Sequence, residues 1–161
     1  MSKKQPKNVG LVGVLSQVVL LFAMIAIMAP ATIKMAHAET FINLDWIMQI
    51  ESSGNAQAYN AKSGATGLYQ ITPICLEDFN DYHEIKYRLS DMYDPQKSAR
   101  VADWYMNTRI PGLLEAYGIE DTVDNRLASY HAGIGNLRKN KLGPATRKYI
   151  SDYHDLTRGV K

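Results

Sequence analysis

Glu51 closes the apolar run Leu44-Asp45-Trp46-Ile47-Met48-Gln49-Ile50 and is followed at once by Ser52 and a stretch rich in turn formers. At about 100° per residue, Leu44, Ile47 and Met48 share one arc of a helix and Glu51 falls inside it. Asp45 and Gln49 take the opposite, wet side. A carboxyl aimed at an apolar interior is costly to ionise, so burial raises its pKa. Such a group can hold its proton near neutral pH and serve as a general acid. A partly buried, hydrogen-bonded structural glutamate is the competing use of the position. The surroundings favour chemistry. Gly64 and Gly67 let a ligand approach the backbone closely, and Gln70 offers a donor and an acceptor suited to the hydroxyl and amide groups of a sugar.

These groups need a scaffold, and its elements are legible. Asn43 is a fitting N-cap for a helix through Glu51. Ser52 to Gly67 reads as loop. Thr72-Pro73 opens a short helix through Phe79, and Asp81 to Asp94 reads as connecting structure. Asp94-Pro95 starts a helix through about Ile110, with Val101, Trp104 and Tyr105 on its buried side. A shorter helix is bracketed by Pro111 and Gly118. Another spans 121 to 132 and stops at Gly133. A loop with Gly135 and Gly143 then leads to a last helix from Pro144 carrying Tyr149, Ile150, Tyr153 and Leu156. Nothing alternates like a strand, so the expected fold class is mainly α, with little or no β-sheet.

Residues 1–38 have the three-part layout of a secretory signal: Lys3, Lys4 and Lys7, the apolar run from Val18 to Ala29, then Ala36-His37-Ala38. Cleavage is expected after Ala38, leaving one domain at 39–161 in the periplasm or outside the cell. An uncleaved anchor is the competing reading, but Ser16 and Gln17 interrupt the segment, and its strongly apolar part is shorter than the ~20 residues a span needs. From Glu39 on, 14 Lys and Arg face 16 Asp and Glu, a net of −2. That excludes a nucleic-acid binder, which needs a concentrated basic face. The basic tail after Asn125 reads as a solvated helix face. The lone Cys75 allows no internal disulfide and reads as a small buried residue, with an intermolecular bridge as the alternative. His83, His131 and His154 lack metal-ligand spacing. Neither a G-x-S-x-G elbow nor a P-loop is present.

Taken in order, Glu51-Ser52, Gly64-Ala65-Thr66-Gly67-Leu68-Tyr69-Gln70-Ile71-Thr72-Pro73 and Ala128-Ser129-Tyr130-His131-Ala132-Gly133 resemble the motifs of soluble lytic transglycosylases. That family, related in fold to goose-type lysozymes, carries E-S, then G-L-M-Q, then A-Y-N-A-G. Ala145-Thr146-Arg147-Lys148-Tyr149-Ile150 resembles its terminal E-T-R-x-Y-V. The resemblance runs from about Leu44 to Tyr149. It implies a lysozyme-like helical domain that cleaves the β-1,4 bond between N-acetylmuramic acid and N-acetylglucosamine in peptidoglycan. Glu51 would be the single acid and then base, closing a 1,6-anhydro ring without water. Ser52, Tyr69, Gln70, Tyr130, His131 and Tyr149 would contact substrate, the Tyr130 hydroxyl beside the carboxyl. No metal or cofactor is implied. A monomer acting on glycan strands is expected, with an envelope secretion or conjugation assembly as a further partner. The chain departs from the family at Tyr69, where Met is usual, and at Ser129. It departs again at His131, which replaces Asn and adds a titratable group near the site. A hydrolytic muramidase of the same fold, or a non-catalytic peptidoglycan-binding component of an envelope machine, are the alternatives.

Overall fold

The computed structural model describes residues 41–159, so the expected export signal lies outside the described residues. Helix α1, Leu44–Ser52, starts where the sequence predicts: the Asn43 side chain accepts from the Asp45 N–H at 2.8 Å. Ile47 is buried, Leu44 and Met48 are half-buried, and Asp45 and Gln49 face water. Ser53 ends the helix in the left-handed conformation, φ 53°, returning its N–H to Gln49. The following segment is not loop throughout. Tyr59–Asn60 (β1) and Ala65–Thr66 (β2) pair antiparallel, Tyr59 with Thr66 and Asn60 with Ala65. Strands of two residues are too short to show an alternating pattern.

Helix α2, Pro73–His83, has Thr72 as its cap, accepting from the Cys75 N–H at 3.3 Å. It runs past the expected end at Phe79. Its last turn carries aromatic packing among Phe79, Tyr82, His83 and Trp104, which helical periodicity in this polar stretch does not reveal. A 3₁₀ turn at Leu89–Tyr93 leads to α3, Pro95–Trp104, capped by Asp94. The sequence predicts a stop before Pro111, yet the helix continues. A π turn at Tyr105–Arg109 passes directly into α4, Ile110–Ala116. Proline has no N–H to give an α-helical ladder and clashes with the carbonyl four residues back. The wider π turn, in which the Ile110 N–H reaches back to Tyr105, relieves both demands.

Helix α5, Val123–Ala132, is capped by Thr122 and ended by Gly133 at φ 82°. The expected loop after it contains a short helix, α6, Ile134–Arg138, before α7, Pro144–Gly159. Helix α5 packs against α6 and α7, and α1 lies on α7. The core is built from Ile42, Ile47, Phe79, Met92, Val101, Met106, Ile110, Leu114 and Leu127, all essentially inaccessible. Arg126 is buried at 5 % exposure and forms a two-pronged pair with Asp121, both contacts 2.6 Å. Pairing and bidentate geometry are what allow that charge inside. The fold is mainly α, and among the described residues no helix is long and apolar enough to cross a membrane.

Just after β2, Gly67 passes close to the backbone of the 3₁₀ turn. Its φ is +79°, and a Cβ there would lie 1.9 Å from the Met92 carbonyl oxygen. Gly118 has φ +64° but open space around it. Gly67→Ala is therefore expected to cost more than about 3 kcal/mol, since backbone must move, against about 1 kcal/mol for Gly118→Ala. Urea denaturation of the two variants tests this ordering.

Candidate active site

The turn Gly67-Leu68-Tyr69-Gln70 is fastened from two directions. At the end of α1 the Ser52 hydroxyl donates to the Leu68 carbonyl at 2.8 Å, with a longer 3.3 Å approach to the Met48 carbonyl. From α5 the Tyr130 hydroxyl donates to the very next carbonyl, that of Tyr69, at 2.7 Å. Backbone hydrogen bonds between Thr66 and Ile71, both 3.0 Å, close the turn at its base. Gln70 sits in the left-handed region at φ 49°, uncommon for a residue with a side chain. Its Nε2 donates to the Gly67 carbonyl at 3.1 Å and reaches the Ala58 carbonyl at 3.4 Å. Such strained residues persist only where their surroundings over-determine them, and they cluster at functional sites.

Against this turn stands Glu51. Burial pushes its carboxyl up from the ordinary 4.5 to about 7, and a hydrogen bond from the Tyr149 hydroxyl pulls part of the way back. That hydroxyl is buried and reaches no partner at full hydrogen-bonding geometry. It still lies close enough to the carboxylate to act on its titration. The Tyr130 and Tyr149 phenols are themselves raised well above 10, first by burial and then by the nearby Glu51 charge. Both stay neutral donors at any working pH.

A cavity of about 260 Å³ adjoins the site, lined in part by Gln70, Cys75, Tyr105, Ser129, Tyr130 and His131. Glu51 is beside this cavity and not in its wall; Tyr130 belongs to the wall and feels the Glu51 charge. Burial lifts Cys75 and Tyr105 to about 12 each, so both remain protonated. His131 differs. Its Nδ1 lies 3.2 Å from the Thr146 hydroxyl, its ring packs on Tyr149 at 4.8 Å between centroids, and partial burial lowers its pKa. That burial favours the neutral form of the ring. Among the described residues no carboxylate lines the cavity.

Glu51, Tyr130, Tyr149 and His131 lie close together, around the turn that carries Gln70. Two placements differ from expectation. The Tyr130 hydroxyl spends its proton on the Tyr69 carbonyl and not on the carboxyl, because that buried acceptor needs a donor. Tyr69, expected as a subsite wall, is only 6 % exposed and packs into the core. Ser52 likewise holds the turn through its hydroxyl. Cys75 is a buried free thiol. Thr146 and Tyr105 had no assigned site role in the sequence; for Thr146 the signal was available, since it lies inside the last of the four motifs.

The sequence profile described as the transglycosylase SLT domain matches residues 33–152, a span that contains every one of these side chains. The chain belongs to the transglycosylase SLT family. No curated protein and no solved structure matches it. Transglycosylase SLT domains are peptidoglycan-cleaving lytic transglycosylases, and the mainly α fold agrees with the relation to goose-type lysozyme.

A raised carboxyl pKa has a cost that can be measured. Between about pH 4.5 and 7 the folded protein retains a proton on Glu51 that the unfolded chain releases. Stability therefore falls as pH rises through that window and levels off above it. Removing the ionisable group removes this loss, which for a partly accessible carboxyl is roughly 2–3 kcal/mol. Glu51→Gln is expected to gain stability relative to the unmodified protein on going from pH 4 to pH 8, read from urea midpoints. A difference independent of pH would show that the carboxyl titrates normally.

Proposed function

We propose that this domain cleaves the β-1,4 bond between N-acetylmuramic acid and N-acetylglucosamine by an intramolecular transfer, with Glu51 as the only acid and base. The reading rests chiefly on one observation: a carboxyl held at about 7 by burial, beside a cavity whose described lining contains no carboxylate to pair with it. Glycosidases that activate water or form a glycosyl-enzyme need a pair, about 5–5.5 Å apart for retention or about 6.5–9.5 Å for inversion. One carboxyl suffices when the nucleophile comes from the sugar itself.

In this reaction protonated Glu51 gives its hydrogen to the bridging O4 as the C1–O4 bond breaks. The carboxylate then takes the proton of the muramic acid C6 hydroxyl while O6 bonds to C1, closing the 1,6-anhydro ring. Glu51 ends protonated, ready for the next bond, and no water is consumed. A pKa near the working pH serves both halves of the cycle. The neutral Tyr149 phenol supports the carboxylate between them. Gln70 and His131 are proposed to hold the sugar, with Ser52, Tyr69 and Tyr130 fixing the turn that carries Gln70. Export through residues 1–38, action as a monomer on glycan strands and service to an envelope secretion or conjugation assembly complete the proposal.

Mass analysis of digested peptidoglycan is the test. Anhydro-muramic acid ends are expected, with Glu51→Gln slower by at least about 10²–10⁴-fold and kcat/KM falling above pH of about 7. Reducing ends would instead identify a hydrolytic muramidase. Undiminished cleavage by Glu51→Gln would remove the acid from the mechanism.

A further inference from the structure

A second concavity, about 970 Å³, opens between α2 and the extended segment that follows it. Its lining divides by charge. Helix α2 and its cap contribute Glu77, Asp81 and Glu84, and the returning segment contributes Lys86 and Arg88. All five are exposed. Among the described residues none of them forms an ion pair, although six other pairs do. Leu76 and Ile85 supply apolar floor between the two sets.

This groove has a fixed width. The Asn80 side chain on α2 clasps the backbone of Tyr87 at both groups, donating to its carbonyl at 2.8 Å and accepting from its N–H at 3.0 Å. The segment is thus held beside the helix as a strand would be. Preorganisation of this kind removes ordering cost from binding. The groove also starts at the catalytic end of the domain. Pro73 and Leu76 line it, while Thr72 and Cys75 of the same helical turn line the cavity beside Glu51.

We infer that this groove binds the stem peptide of peptidoglycan, an inference that rests on the proposed substrate. The stem is short, extended and zwitterionic: it carries carboxylates along its length and an ammonium on its diamino acid. A fixed groove with unpaired acids on one side and unpaired bases on the other complements that pattern. An uncharged glycan strand would not use it. Four extended residues span at most about 14 Å, comparable with the roughly 16 Å rise of the helix that forms the groove wall. A stem leaving a muramic acid at the active site can follow α2.

Two measurements test this in the full chain. Neutralising variants Glu77→Gln with Asp81→Asn, and separately Lys86→Gln, are compared with the unmodified protein on stem-bearing peptidoglycan and on glycan stripped of stems by an amidase. Each variant set is expected to lose kcat/KM on the stem-bearing substrate only, up to about tenfold for exposed charges acting together. Equal loss on both substrates, or loss on neither, overturns the inference. In the second measurement the free tetrapeptide stem is titrated into isotope-labelled protein, unmodified and Glu51→Gln. Saturable shifts at amides of residues 76–89 are expected in both. Shifts absent there overturn the groove assignment even if cleavage proceeds. Shifts present in an unmodified protein that yields no anhydro-muramic acid ends would instead count against the proposed reaction while leaving the groove intact.

Discussion

Withholding water from one carboxyl is the constraint around which the site is built. Glu51 stands on a helix face whose other members, Leu44, Ile47 and Met48, point inward. The same geometry that docks α1 therefore desolvates the acid. Left alone, that penalty would favour rotation of the side chain outward or local loosening of the helix end. The structure counters it by making the helix end part of a larger assembly. Hydroxyls of Ser52 and Tyr130, from α1 and α5, take the adjacent carbonyls of Leu68 and Tyr69. Two helices distant in sequence are thereby fastened to one turn, and Glu51 is next to the fastening.

The turn in its own right is possible only because of a close contact on its far side. Gly67 approaches the Met92 carbonyl so nearly that no side chain fits, and this seats the hairpin on the 3₁₀ segment. Gln70 is then forced into a left-handed conformation, with its amide nitrogen turned back onto the Gly67 carbonyl. Rigidity at Gly67, strain at Gln70 and burial at Glu51 belong to one arrangement. Tyr149 closes it from α7, where His131, within reach of the Thr146 hydroxyl, packs on its ring.

Much of this was visible in the chain alone, and for identifiable reasons. Helix α1 and its inward glutamate follow from a cap and an apolar arc, both local signals. The starts of α2 and α3 follow from Thr72 and Asp94, each with a side chain that satisfies the first free N–H groups. What stayed hidden was non-local. Proline at 111 is a stop signal in sequence, but the preceding turn can widen to admit it. The hydroxyl of Tyr130 looked free to meet the carboxyl until the buried Tyr69 carbonyl claimed it. Burial of the Tyr69 ring depends on packing across the core. Helix α6 is shorter than any pattern can resolve.

The account stands or falls on the proton affinity of a single group. Carbon-detected NMR of the Glu51 side chain, followed from acid to mildly alkaline pH, reads it directly. A midpoint close to 7 is expected, from burial only partly offset by Tyr149. A midpoint at the ordinary carboxylate value of 4.5 would mean that water reaches the acid freely, and the proposed chemistry would lose its proton donor.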